Sequence, residues 1–141
     1  MAEELIGYYS DLNQPIVPIL TIAGSESTTP FMIDTGVNVE LLAPMELALA
    51  LKWQISSQIE DVVMADGTVA QAVLAFPYIQ WHGLVRQCEA LVLLENPYEE
   101  GNKPKRRNPR QAYDGFVGMG LLRGNVIGFE PSIVRISKGT R

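Results

Sequence analysis

Phe31-Met32-Ile33-Asp34-Thr35-Gly36 is the stretch on which the reading of this chain turns. An apolar run suited to a buried strand delivers one carboxylate, and then stops at Thr and Gly. Gly36 is expected to let the backbone turn where a side chain would collide. Thr35 is expected to fix the loop through its hydroxyl. Asp34, presented at a strand end beside an apolar floor, is the candidate acid/base group. The plain structural reading of the same tripeptide is an Asx-type turn, which needs no chemistry.

Composition narrows that chemistry from the other side. The chain has 141 residues, enough for one domain with its own core. Hydrophobic residues make up 47% and charged residues 19%, the balance of a folded chain. The lone Cys88 excludes an internal disulfide framework and a multi-cysteine zinc site. The lone His82 excludes a histidine-rich metal centre, and it falls in Gln80-Trp81-His82-Gly83, which reads as a hairpin turn. An enzyme built from this inventory is expected to work with carboxylates, without metal or other cofactor. The net charge of −5 argues against nucleic acid as a partner. No apolar run has the length of a membrane helix, and Met1-Ala2-Glu3-Glu4 is acidic, unlike a secretory leader. The expected location is therefore cytoplasmic.

Along the chain, 12 glycines and nine prolines punctuate short apolar runs, which predicts a mostly-β fold with one or two short helices. Ile16–Ile22 reads as a strand in which Pro18 implies an edge or a bulge. Thr28–Ile33 and Val39–Leu42 read as further strands. Pro44–Leu51 is the best helix, with proline in its first turn. Asp66-Gly67 between apolar runs is a hairpin signal. Val69–Tyr78 and Cys88–Leu94 read as extended, with Leu91-Val92-Leu93-Leu94 buried on both faces. The stretch 96–113 holds three prolines and five of the chain's 11 basic residues, opposed only by Glu99 and Glu100, and reads as an inserted, exposed basic loop within a single domain. Val126–Phe129 and Ile133–Ile136 close the chain as short strands.

Three features in order carry a resemblance: the motif around Asp34, the Asp-Gly hairpin at Met64–Thr68, and the late Phe116-Val117-Gly118-Met119-Gly120-Leu121-Leu122. From about Ile16 to Leu122 the chain resembles the retropepsin-like aspartic proteases, single-domain relatives of pepsin. The resemblance implies a closed, pepsin-like barrel, with Asp34 catalytic and Thr35 and Gly36 shaping its loop. It implies a flap with Ala65, Asp66 and Gly67 at the tip, and Val37 and Asn38 beside the substrate together with that flap. It implies that Val117-Gly118 packs behind the loop and leads into a short helix. Because the chain has one such motif, it implies a homodimer in which two Asp34 carboxylates activate a water against a peptide or protein substrate. The chain departs from the family at Val37, where Ala or Ser is usual, and at Gly120, where a polar residue is usual. It departs also at Asn38 and Met119, which stand where retroviral members carry an aspartate and its arginine partner. The competing readings are a non-catalytic peptide-binding or dimerisation module on the same fold, and a monomeric adaptor using the basic loop.

Other motifs weigh less. In Gly118-Met119-Gly120 and Gly124 the spacing misses a dinucleotide loop by one residue. Asp66-Gly67-Thr68 lacks the second aspartate that a phosphatase motif requires. Cys88 reads as a small core residue, Trp53 and Trp81 as packing residues, and Lys105-Arg106-Arg107 as a solvated charge run.

Overall fold

The computed structural model describes residues 4–22, 26–63, 67–94 and 113–139. Strands make up 59% of these residues, accompanied by two short helices. The strands are β1 (Leu5–Tyr9), β2 (Pro15–Ile22), β3 (Glu26–Ile33), β4 (Leu41–Pro44), β5 (Ile55–Val63) and β6 (Val69–Ala75). They continue with β7 (Tyr78–Trp81), β8 (Leu84–Gln87), β9 (Ala90–Leu93), β10 (Gly115–Val117), β11 (Asn125–Phe129) and β12 (Val134–Lys138). The helices are α1 (Met45–Ala50) and α2 (Met119–Leu122). Neither is long and apolar enough to cross a membrane.

The strand path runs β11-β12-β1-β2-β3-β10-β4-β9-β6-β5, with the β7–β8 hairpin branching from β2. Among the described residues this path has two ends. The pairing therefore does not close into the barrel that the resemblance implies, because β5 and β11 each keep one edge without a strand partner.

The centre of the sheet positions the Asp34 loop. β3 and β4 flank that loop in sequence but do not pair with each other. β10 inserts between them, parallel to β3 (Val117 opposite Ile33) and antiparallel to β4 (Val117 opposite Leu41). Phe31, Ile33, Leu41 and Val117 are all buried. At about 1.5–3 kcal/mol for each large apolar side chain buried, this cluster holds the loop's two stems firmly. On the other side of β4, β9 runs parallel to it; of the apolar run Leu91–Leu94, Leu91 and Val92 are buried, while Leu93 and Leu94 are only partly so.

Pro18 does not mark a sheet edge, because β2 lies between β1 and β3. Pro18 instead faces Pro30. Neither has an N–H, so this pair occupies a position where adjacent strands exchange no hydrogen bonds. On its other side β2 pairs with β1 only through Pro15 and Ile16, and with β7 only through Thr21 and Ile22, so Pro18 falls in the gap. The hairpin expected at His82 is present: Trp81 faces Leu84, and His82 (φ 52°) and Gly83 (φ 77°) form a two-residue turn of the kind that matches strand twist.

Candidate active site

Asp34 sits where β3 ends. Its N–H donates to Val117 O (3.0 Å), so the β3–β10 ladder itself fixes the backbone of the carboxylate-bearing residue. Asp34 Oδ1 accepts the Gly36 N–H (2.9 Å), and Asp34 O accepts the Val37 N–H (3.2 Å). An Asx-type turn is therefore present, but it occupies only one carboxylate oxygen. Oδ2 makes no hydrogen bond among the described residues, and the side chain is half-buried.

Within one chain the turn is held differently from the way its residue types suggest. Thr35 is exposed, and its hydroxyl makes no hydrogen bond among the described residues; the Gly36 N–H to Asp34 Oδ1 bond fixes the turn instead. At Gly36, the one neighbour within 4 Å of an added Cβ is Asp34 Oδ1 at 3.2 Å, so within one chain no backbone collision demands glycine.

The glycines that sterics do demand lie behind the loop. A Cβ at Gly118 would press into Val39 O and lie 2.6 Å from Val37 O; one at Gly120 would lie 2.7 Å from Glu40 N. Both lack side chains so that the start of α2 can lie against Val37–Glu40. The contact is a run of backbone hydrogen bonds: Met119 N–H to Val37 O (2.7 Å), Gly120 N–H to Val39 O (3.2 Å) and Gly118 N–H to Glu40 O (3.0 Å). Val37, the bulkier departure from the family pattern, fits into this arrangement because Gly118 leaves room for its Cγ1.

Asn38 is exposed and makes no hydrogen bond among the described residues, whereas Met119 packs against the core. The charge pair of retroviral members has no equivalent at these two positions. A different ion pair stands nearby: Arg86 Nη2 to Glu40 Oε2, 2.5 Å. Glu40 Oε1 accepts the Glu89 N–H (2.8 Å), so one carboxylate ties the loop to β8 and to the start of β9. Sequence reading missed Glu40, since a partner 46 residues away leaves no spacing signal.

Asp34, Thr35, Gly36, Val37 and Asn38 share one loop. Gly67 stands apart, exposed (φ 86°), with nothing within 4 Å of an added Cβ. Ala65 and Asp66 lie outside the described residues, as does nearly all of the inserted loop expected at 96–113. His82 is not the solvent-facing turn residue its position suggests. It is buried, and its Nε2 lies 2.6 Å from Asn125 Oδ1. Asn125 Nδ2 donates to Leu121 O and Arg123 O, which leaves Oδ1 as acceptor and makes His82 Nε2 the protonated nitrogen. Cys88 is buried, and desolvation, with the nearby Glu40 charge, pushes its thiol up to about 12. No cluster of three or more potential metal-ligating His, Cys, Asp or Glu side chains occurs among the described residues. No protein-family model matches the chain, and no curated protein matches it.

Proposed function

We propose that this chain is an aspartic endopeptidase of the retropepsin-like kind, active as a homodimer on a peptide or protein substrate. One observation carries the reading: Asp34 is held at the junction of two parallel strands, on a loop braced from behind by a helix whose glycines exist to approach it. A solvent-facing Asx turn has no need of Gly118 and Gly120, or of three backbone hydrogen bonds from α2. That construction serves to present the free edge of one carboxylate in a fixed place, and pre-organisation of this kind is what acid/base chemistry requires.

The chemistry follows from having one such carboxylate per chain. Two Asp34 groups brought together across a two-fold axis cannot both ionise, and they share one proton. The charged one takes a proton from a water as the water's oxygen bonds to the scissile carbonyl carbon. The protonated one gives its proton to the carbonyl oxygen. Collapse of the tetrahedral species breaks the C–N bond, with a proton passing to the leaving nitrogen. The pepsin-like closed barrel belongs to this proposal, with the β5–β6 hairpin as flap.

Asp34→Asn tests it, since the substitution keeps shape and removes the titrating group. Incubated with a peptide library from acidic to neutral pH and read by mass spectrometry, the parent chain is expected to cleave. The variant is expected to lose at least about 10²-fold in rate, the lower range for general acid–base groups. Equal turnover by the variant would sink the mechanism. A dimeric parent that cleaves nothing across the range would replace it with the peptide-binding module.

A further inference from the structure

We infer that His82 is a positioning residue for the Asp34 loop: through Asn125 it holds the far end of the helix that braces that loop. Its effect on cleavage rests on the two-aspartate reading, while the link from His82 to the loop is measurable without any substrate.

The residue type is the first sign. His82 and Gly83 are the two positive-φ residues of the β7–β8 turn. At the first of these positions asparagine serves the turn best, and turn side chains ordinarily stand in water. A histidine stands here instead, only 3% exposed, so a polar ring has been taken out of solvent. The turn has no use for that burial. What the burial does is bring Nε2 to 2.6 Å from Asn125 Oδ1, 43 residues further along the chain. An asparagine side chain at position 82 is too short to reach so far. The neighbouring Trp81 meets the imidazole edge-on, with ring centroids 5.4 Å apart and planes at 73°, which sets the tilt of the ring.

Asn125 passes the contact to α2. Its amide orientation is fixed, because Nδ2 donates to two carbonyls, Leu121 O (3.0 Å) and Arg123 O (3.3 Å), and Oδ1 is left for His82. Leu121 lies in α2 and Arg123 follows it directly, so Asn125 serves carbonyls at the C-terminal end of the helix. α2 is a single turn of four residues, too short to be stable by itself. The buried Leu121 and Leu122 set its depth, and hydrogen bonds at its two ends set its place along the loop. At the front, Gly118, Met119 and Gly120 donate their N–H groups to Glu40 O, Val37 O and Val39 O. At the rear stand Asn125 and His82. Val37 N–H in turn donates to Asp34 O. A shift of the rear of α2 therefore reaches the carboxylate-bearing residue through a continuous run of hydrogen bonds and close glycine contacts.

The same hairpin grips the loop a second time. Arg86, on β8, pairs with Glu40, whose own backbone oxygen takes the Gly118 N–H. The hairpin is in turn registered on β2, with Ile79 opposite Thr21 and Tyr78 opposite Ile22. From that base it bears both on the brace behind Asp34 and on the stem that follows it.

Two substitutions separate this role from turn formation. The amide nitrogen of glutamine lies about where the imidazole Nε2 does, so His82→Gln keeps the donor, although glutamine suits a positive φ poorly. His82→Asn favours the turn and gives up the reach. Turn chemistry alone ranks the asparagine variant above the glutamine variant; the link to Asn125 ranks them the other way. On a peptide that the full-length parent cleaves, His82→Asn is expected to lower kcat about tenfold or more with KM little changed, as a misplaced catalytic group does. His82→Gln is expected to recover most of that loss. In an Asn125→Ala background, His82→Asn is expected to add no further loss. Amide hydrogen exchange followed by NMR reads the link without substrate. In His82→Asn the amides of Gly118, Met119 and Gly120 should exchange faster relative to those of the β2–β3 ladder, and His82→Gln should restore their protection. An unchanged kcat in His82→Asn, the two variants ranked as turn chemistry ranks them, or faster exchange shared equally by the β2–β3 ladder overturns the inference. A parent that cleaves nothing removes the proposed chemistry, and the exchange pattern then decides the link alone. A parent that cleaves, with neither rate nor exchange altered in His82→Asn, keeps the chemistry and removes the link.

Discussion

Gly118 shows how much one missing methyl group can decide. Its Cβ would press on backbone oxygen atoms of the Asp34 loop, and backbone cannot rotate away as a side chain can. Gly118→Ala is therefore expected to cost about 1–3 kcal/mol, the usual range for overpacking a tight site. A lowered urea midpoint checks this, and any peptidase activity should fall with it because α2 can no longer brace the loop. Gly36→Ala, by contrast, presses only on Asp34 Oδ1, at 3.2 Å, a side-chain atom that can shift by a few tenths of an ångström, so it should cost less stability than Gly118→Ala. Cys88 supplies a pH test. Burial raises its thiol from an ordinary value near 9.0 to about 12, so the folded chain holds that proton more tightly than the unfolded one. Its contribution is fully present below about pH 9 and is lost as pH rises from there towards 12. Urea midpoints should drop over that window, less so in Cys88→Ala than in the parent. In the native chain the thiol should stay unreactive to a disulfide reagent at pH 8.

Among the elements, the β7–β8 hairpin depends on two consecutive residues with positive φ, of which Gly83 takes the position open to glycine at no steric cost. Gly83→Ala is expected to lower stability by about 1–2 kcal/mol, read as a shifted denaturation midpoint with an unchanged slope. The turn was legible because Trp81 and Gly83 bracket it; the burial of His82 was not, since its partner Asn125 comes from a distant strand. β1, most of β5 and β8 left little trace in the sequence. β5 reads Ile-Ser-Ser-Gln-Ile-Glu-Asp-Val-Val, too polar for a buried strand, because an edge strand can leave much of its length in water. β4 begins at Leu41, not Val39, because the carbonyls of Val39 and Glu40 are taken by N–H groups of Gly120 and Gly118. The helix after Pro44 was legible, but it forms as Met45–Ala50, with Pro44 extended at the N-cap position and making no side-chain cap bond.

At the scale of the whole molecule, the path from β11 to β5 is open at both ends among the described residues, and the proposed chemistry needs two copies of Asp34. Specific peptidase activity is accordingly expected to fall on dilution below the dimer dissociation constant, and to recover on reconcentration. A chain that sediments as a monomer with undiminished turnover would contradict a shared two-aspartate site.

The sequence by itself determined the mostly-β class, the break after Ile33, the α1 helix and the hairpin turn at His82-Gly83. These are local matters of apolar period, proline and glycine chemistry, which residues adjacent in the chain decide between themselves. It also determined that one aspartate stands at a strand end followed by a tight turn. Only the tertiary structure decided that β10 threads between β3 and β4, that Gly118 and Gly120 bear on the Asp34 loop while Gly36 does not, and that Glu40 reaches Arg86. These depend on contacts between residues tens of positions apart, whose register is set by burying Phe31, Ile33, Leu41 and Val117 together, and no short stretch of sequence encodes that register alone.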